Sequence, residues 1–344
     1  MNKKVIITGV TGMDGSHLVD YLLENTQHEL FGIVRRCSKP NYTNLQHNLN
    51  NPRLHLVTGD LSDSVSIDNI VKKIQPDYFV NLASQSFVGS SWEIPEQTFD
   101  VTAGGVIRTL EAVRKNAPNC RYYNAGSSEE FGDVITCPQD ETHPLRPRSP
   151  YGAAKAAARL LVKVYRESYN LYAIQGVLFN HEGTRRGLEF VTRKITHGVA
   201  NIALSYDNYA PIELGNVDSQ RDWSDARDFV RGIWMMLNQS KPKEYILASG
   251  VARTVKEFVT NAFECVNIVG QWEGKGIEEK FIDKKTGKPL VVINPAFYRP
   301  AEVEFLCGDS SLARKEMGWE PQISFNQMIK EMVENDLALT QKQK

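Results

Sequence analysis

Two residues four apart, Tyr151 and Lys155, carry the most pointed chemistry in the chain. The stretch Ser149-Pro150-Tyr151-Gly152-Ala153-Ala154-Lys155 opens a helix, with Ser149 as cap and Pro150 in the first turn, so the phenol and the ammonium share one helix face. There the ammonium is expected to lower the phenol's pKa and to act with it on one substrate. A second group, Gly126-Ser127-Ser128-Glu129-Glu130-Phe131-Gly132, follows a strand-like run at Arg121–Ala125. Ser127 is suited to hold a hydroxyl oxygen while Tyr151, as phenolate, takes its proton and a hydride leaves the same carbon. A plain oxidation needs nothing more. Glu129 points to a second proton transfer, removal of a proton acidified by the new ketone, with loss of a β-hydroxyl. A surface or cap-forming glutamate is the alternative, and Glu130 beside it suits that role.

A hydride needs an acceptor, and the N-terminus offers a place to bind one. Lys4-Val5-Ile6-Ile7-Thr8-Gly9-Val10-Thr11-Gly12-Met13-Asp14-Gly15 reads as a buried strand, a tight turn and a helix start. Gly9 permits the turn, Gly12 lets a pyrophosphate approach bare backbone, and Gly15 lets the helix pack close to the strand. The spacing G-x-x-G-x-x-G is a variant of the commonest dinucleotide fingerprint, and a ligand-free glycine turn is the alternative reading. A second strand, Leu30–Val34, ends on Arg35-Arg36 without an acid, which favours the 2′-phosphate of NADP over NAD. Asp60, after a third strand at Leu54–Val57, either accepts from an adenine amino group or closes a turn. A fourth strand within Pro76–Ala83 leads to Ser84-Gln85-Ser86, small polar residues suited to lie beneath a dinucleotide, with Ser86 assigned to the substrate.

One helix is expected over Pro95–Lys115 and a sixth strand over Tyr172–Phe179, after which the βα rhythm breaks. Glu244–Ala248 is expected to return to the main sheet. The fold class is therefore α/β: a doubly wound parallel sheet (Rossmann) with a smaller C-terminal α/β substrate-binding domain. Residues 1–183 and 216–250 are assigned to the dinucleotide domain, 184–215 and 251–344 to the smaller one. The smaller one receives helices near Val255–Val266 and Phe325–Leu337 and a hairpin around Lys284–Lys288, and the final Gln-Lys-Gln-Lys reads as disordered.

Composition removes several classes. A chain of 344 residues with 41% hydrophobic and 24% charged residues is globular, and a net charge of -1 supplies no basic field for nucleic acid or an anionic membrane surface. No run is long enough for a membrane span, and the N-terminus leads straight into a strand rather than a signal peptide, so a cytoplasmic location is expected. Five scattered cysteines without a C-x-x-C pair read as free thiols, and seven histidines without paired spacing leave no metal site.

The glycine turn and Tyr151-x-x-x-Lys155 resemble the extended short-chain dehydrogenase/reductases, which act on nucleotide sugars. Arg35-Arg36, Asn180-His181-Glu182 with Arg185-Arg186-Gly187, Phe190-Val191-Thr192-Arg193-Lys194-Ile195, Arg221-Asp222-Trp223 and Phe297-Tyr298-Arg299-Pro300-Ala301-Glu302-Val303 resemble the GDP-mannose 4,6-dehydratase family within them. The resemblance implies tightly bound NADP held by Gly9, Thr11, Gly12, Met13, Asp14, Arg35, Arg36, Asp60, Leu61, Leu82, Ala83, Tyr151, Lys155, His181 and Arg186. It implies catalysis by Ser127, Glu129 and Tyr151 with Lys155, and contact with the GDP moiety by Asn180, Lys194, Arg221, Arg299 and Glu302. A homotetramer is implied too, since the family's arginine loop reaches a neighbouring subunit's cofactor and a dimer forms through the helices of Thr98–Lys115 and Tyr151–Glu167. The chain departs from the family's Ser-Thr-Ser-Glu-Leu-Tyr at Gly126-Ser127-Ser128-Glu129-Glu130-Phe131, and again at Phe87–Trp92 beside the sugar. A related GDP-sugar such as GDP-manno-heptose, a 4-epimerase or reductase of the same fold, and a silent NADP(H) sensor are the rival readings. Epimerases lack an acid at the position of Glu129, and sensors commonly lose the Tyr-Lys pair.

Overall fold

The computed structural model describes residues 2–298, 301 and 303–343. Its first half alternates strand and helix: β1 (Lys4–Thr8), α1 (Met13–Asn25), β2 (Glu29–Val34), β3 (Leu54–Thr58), α2 (Ser64–Ile74), β4 (Tyr78–Asn81), α3 (Pro95–Phe99), α4 (Gly105–Asn116), β5 (Arg121–Ala125), α5 (Pro150–Ser168) and β6 (Ala173–Leu178). The second half is less regular: β7 (Asn180–Glu182), α6 (Val191–Leu204), β8 (Ile212–Leu214), β9 (Gln220–Asp225), α7 (Ala226–Leu237), β10 (Glu244–Leu247), β11 (Ala252–Thr254), α8 (Val255–Glu264), β12 (Gly270–Glu273), β13 (Lys280–Asp283), β14 (Pro289–Ile293), α9 (Ser311–Met317) and α10 (Phe325–Gln343). Seven strands form one parallel sheet in the order β10-β6-β5-β4-β1-β2-β3, so the order reverses beside β1, where such sheets open a crevice. The strand at Glu244 joins the far edge of this sheet, as expected.

Because helices cover both faces, the central strands are apolar on both sides. Val5, Ile7 and Val80 pack under Leu18 and Leu22 of α1 and Phe229, Ile233 and Met236 of α7. On the other face Ile6, Phe79 and Tyr122 meet Ile67 and Val71 of α2, Leu110 of α4 and Val162 of α5. A second core gathers Val199 and Ile202 of α6, Phe258 and Phe263 of α8, Met328 and Met332 of α10, and Leu290 and Val291 of β14. Beside it lie a sheet ordered β12-β13-β14-β8 and a small β11-β9-β7 sheet that links the two lobes. Of the stretch assigned by sequence to the smaller lobe, Ala313 and Trp319 pack into the first core; of that assigned to the larger, Val217 and Trp223 pack into the second.

Two local expectations change. The single helix over Pro95–Lys115 is interrupted by a π turn at Asp100–Gly104, where the amide of Gly105 donates to the Asp100 carbonyl. Arg108 Nη1 binds the same carbonyl at 3.1 Å and that of Leu61 at 2.9 Å, and Gly104-Gly105 supplies the weak helix propensity that permits the bulge. The C-terminal Gln-Lys-Gln is not disordered: α10 runs to Gln343 because Thr340 is still buried against the protein, and Lys344 lies outside the described residues. No helix among the described residues is long and apolar enough to cross a membrane. All five cysteines are free thiols, and no cluster of metal-ligating side chains occurs among the described residues.

The junction of β1 and α1 shows why glycine is needed there. A Cβ on Gly15 would fall 2.3 Å from the Gly9 carbonyl oxygen and 2.7 Å from Val10 Cα, both backbone atoms that cannot swing away. Gly15→Ala is therefore expected to push α1 off β1, lowering stability by about 1–3 kcal/mol in urea titrations and weakening whatever binds at the turn. Unchanged stability and ligand affinity would contradict this account.

Candidate active site

A cleft of ≈ 1310 Å³ opens along the carboxyl edge of the large sheet, between the two cores. β5 delivers Ser127 and Glu129 to it on a single 3-10 turn. Ser127 Oγ accepts from the Glu129 amide at 3.3 Å, while the Ser127 amide donates to Glu130 Oε1 at 2.9 Å, a reciprocal cap that fixes the turn. Glu130 is thus a cap, but a fully buried one rather than a surface residue.

The facing wall is α5. Ser149 Oγ accepts from the Gly152 amide at 3.0 Å and Pro150 fills the first helical position, so the helix starts where the sequence places it. A Cβ on Gly152 would stand 2.6 Å from the Glu129 carbonyl oxygen, so glycine lets α5 rest directly on the turn and brings Tyr151 to Ser127. Buried Ala154, Ala156 and Ala158 keep the rest of α5 close to its neighbours.

The electrostatics differ from the expectation that Lys155 lowers the Tyr151 pKa. Lys155 Nζ donates to the Ala125 carbonyl at 2.7 Å and lies 5.7 Å from the Tyr151 ring centroid. Burial pushes the phenol well above its ordinary value; the Ser127 hydrogen bond and Arg186 pull it down, and Glu129 and Glu130 push it up further. Burial likewise lowers Lys155 to about 8, against the pull of Glu130 and Asp14. Desolvation disfavours both charged forms, and the pair gains its charges from the groups around it.

The cleft gathers nearly all of the residues singled out by sequence. Gly9, Thr11, Gly12, Met13, Asp14, Arg35, Asp60 and Leu61 line one end; Leu82 and Ala83 lie along it; Ser86, Ser127, Glu129, Tyr151, Lys155, Asn180, His181, Arg186, Lys194 and Arg221 complete it. Arg36 is exposed and does not line the cleft, so of the two arginines only Arg35 is brought to it. Arg299 and Glu302 lie outside the described residues. Asp60 closes a turn, accepting from Ser62 N at 2.9 Å and Ser62 Oγ at 2.7 Å. His181 Nε2 lies 2.9 Å from Asp14 Oδ2; burial works against the imidazolium, but Asp14 outweighs it and raises the His181 pKa. At the far end Lys194 Nζ sits 3.5 Å from the centre of the Phe297 ring.

These residues suit a dinucleotide and a second polar ligand. The N-cap of α1 is Gly12, which brings no side chain to its first amides, leaving them for an anion. Asp14 Oδ1, Gln85 Oε1 and Asn180 Oδ1 are buried at the cleft without a hydrogen-bond partner in the protein, an arrangement that a ligand's donors would satisfy. Sequence reasoning missed the residues that support the edge of the cleft. Thr8 Oγ1 donates to Asn81 Oδ1 at 2.7 Å, Asn81 Nδ2 to Asn124 Oδ1 at 2.9 Å, and Asn124 Nδ2 to Gln175 Oε1 at 2.9 Å. The available signal was a polar residue inside each otherwise apolar strand.

Comparison with known proteins follows the same direction. Residues 6–332 match the family model described as GDP-mannose 4,6 dehydratase. The chain is 45% identical to the GDP-mannose 4,6-dehydratase of Vibrio cholerae serotype O1 over 99% of this chain and 95% of that one. It is 42% identical to the GDP-mannose 4,6 dehydratase of Homo sapiens, covering 97% and 91%. Among solved structures, the dTDP-glucose 4,6-dehydratase DesIV of Streptomyces venezuelae, with NAD and TYD bound, superposes with a TM-score of 0.81 at 21% identity, covering 96% of each chain.

Proposed function

The chain belongs to the GDP-mannose 4,6-dehydratase family, and we propose that its cleft converts GDP-mannose to GDP-4-keto-6-deoxy-mannose. The observation that carries this reading is Glu129 on the turn beside Ser127 and Tyr151: an acid where simple oxidation or epimerisation needs none. The enzyme is a hydro-lyase without net redox change. When bound, oxidised NADP supplies the acceptor that takes a hydride from C4 of the sugar and later returns it to C6. Tyr151 takes the C4 hydroxyl proton, and Ser127 holds that oxygen. Arg186 favours the phenolate, and the Lys155 ammonium stands 5.7 Å from the centre of the phenol ring. Glu129 removes the C5 proton made acidic by the ketone and passes it to the departing C6 hydroxyl, which leaves as water; as the hydride returns to C6, a solvent-exchangeable proton is restored to C5. Asn180, Lys194 and Arg221 hold the GDP part, with Ser86 toward the sugar; Arg299 and Glu302 join them by family resemblance alone.

Mass spectrometry after incubation with GDP-mannose tests the reading, because dehydration subtracts a water and epimerisation changes no mass. Glu129→Gln keeps shape but removes the base; it is expected to lower turnover about a hundred- to ten-thousand-fold and to accumulate reduced cofactor, while Tyr151→Phe yields no reduced cofactor. Near-normal turnover by Glu129→Gln, with normal solvent-deuterium incorporation at C5, would remove Glu129 from this role.

NADP is preferred over NAD on this reading, with Arg35 at the cleft rather than Arg36 meeting the 2′-phosphate. Arg35→Ala is expected to weaken NADP about ten- to a hundredfold more than NAD in titrations, and Arg36→Ala less so. Equal losses for the two cofactors would overturn the assignment.

The enzyme works as a cytoplasmic homotetramer built on a helix-mediated dimer. Phe99, Leu160 and Val164 support this, being apolar yet about half exposed on α3 and α5 (51%, 54% and 50%). Sedimentation velocity is expected to give a tetramer for the wild type and a smaller species for L160E/V164E. A monomeric wild type would refute it.

A further inference from the structure

Behind the cleft, where no substrate reaches, lies a buried ionic cluster that the reaction described above does not use. Glu130 is 0% exposed. Its Oε1 accepts from the Ser127 amide at 2.9 Å and stands 3.4 Å from Gln175 Nε2. Its Oε2 faces Arg159 Nη1 at 3.6 Å, and neither atom makes a hydrogen bond. Arg159 gives Nε and Nη2 to Glu244 Oε2 at 2.9 and 2.6 Å, and Glu244 also meets Arg166 at 3.4 Å. One carboxylate thus touches three elements that must agree: the turn carrying Ser127 and Glu129, helix α5 carrying Tyr151 and Lys155, and strand β6. Arg159 lies one helical turn beyond Lys155, which lies one turn beyond Tyr151, so the three share one face of α5.

We propose that Glu130 is a positioning residue for this active site: it clamps the Ser127–Glu129 turn against Arg159 of α5, and its negative charge is a buried counter-charge for the Lys155 ammonium, which the Ala125 carbonyl holds two residues before Ser127. A neutral amide could also accept the Ser127 N–H, though more weakly, but it would bring no charge to face Arg159. The charge matters because burial pulls the Lys155 ammonium down to about 8, with Glu130 and Asp14 opposing that pull. The groups facing Glu130 are Arg159, Lys155 and Tyr151 from α5, Tyr123 from β5 and Glu244 from β10. Burial raises Glu130 itself to about 7, while Arg159, the Ser127 amide and Lys155 draw it back and Glu244 pushes it up. The signs then define a window. Above about pH 7 Glu130 is an anion, and below about pH 8 Lys155 is a cation, so the full pair exists around neutrality to mild alkalinity. Removing the anion lets Lys155 lose its proton at a lower pH.

The test follows the Lys155 titration directly in full-length protein labelled with ¹³Cε-lysine, the signal assigned through Lys155→Arg. In wild type the Lys155 resonance is expected to report a titration lowered from the ordinary lysine range to about 8. In Glu130→Gln the Lys155 titration falls by about one pH unit or more. The alkaline limb of kcat for dehydration moves down with it, KM changing less than kcat. Glu130→Asp restores the limb toward its wild-type position because it restores the charge. An unmoved Lys155 titration in Glu130→Gln, or its rescue failing in a folded Glu130→Asp, would overturn the proposal. The wild-type titration needs no variant: a Lys155 resonance titrating in the ordinary lysine range would overturn the account of a buried ammonium that needs a counter-charge, even where a substituted chain does not fold. Only the activity arm rests on the dehydratase reading: a wild type that never releases water from GDP-mannose defeats that reading and leaves the resonance measurement to decide this one.

Discussion

The structure depends on a row of polar side chains that crosses the large sheet at one level. Thr8, Asn81, Asn124, Gln175 and Glu244 are register partners on five successive strands, β1, β4, β5, β6 and β10. Hydrogen bonds link the first four, and Glu130 with Arg159 joins the row to α5. Each neutral bond adds only about 1 kcal/mol net, but a buried amide left unpaired costs about 1–3 kcal/mol. The row therefore penalises any slip of one strand past the next, which would set these amides against apolar neighbours. It lies at the carboxyl ends of β1, β4 and β5, where ligand-facing loops begin, while β6 and β10 run on past it. Thr8 Oγ1 also accepts from the amides of Leu82 and Ala83 at 3.0 Å each, carrying that order into the cleft wall.

From this edge two glycine contacts set the working distances. Gly15 brings α1 against the turn at Gly9, so uncapped amides face the cleft; Gly152 brings α5 against Glu129, so Tyr151 meets Ser127. Neither depends on a large energy. Both rely on the absence of a side chain where any atom would collide with backbone. The second core, built separately on α6, α8 and α10, then closes the cleft from the other side with Lys194 and Arg221.

Burial gives this site its electrostatic character. The enclosure that shields a ketone also disfavours a phenolate and an ammonium, raising Tyr151 and lowering Lys155. A Tyr-Lys pair in such a place cannot sustain its charges unaided. Ser127 and Arg186 favour the phenolate, while Glu130 and Asp14 favour the ammonium, so residues from three separate stretches of sequence share the work.

The sequence alone determined the local events. A glycine turn after an apolar strand, Ser149-Pro150 at a helix start, and Tyr151 with Lys155 four apart are legible because each depends on neighbours within a few residues. The apolar alternation of strands and helices gave the parallel sheet for the same reason. Almost every described residue that motif resemblance named lines the cleft, Arg36 being the exception. What only the tertiary structure decided depends on distance between stretches remote in sequence. Arg35 rather than Arg36 reaches the cleft, because the way the chain leaves β2 and not the residue type selects between adjacent arginines. Glu130 lies at the centre of a buried ion cluster rather than at the surface, because Arg159 and Gln175 arrive from 29 and 45 residues away. The Lys155 ammonium goes to the Ala125 carbonyl, and burial is the largest influence on the phenol, a balance that helical spacing does not contain. A charge's pKa belongs to its surroundings, and those exist only once the chain has folded.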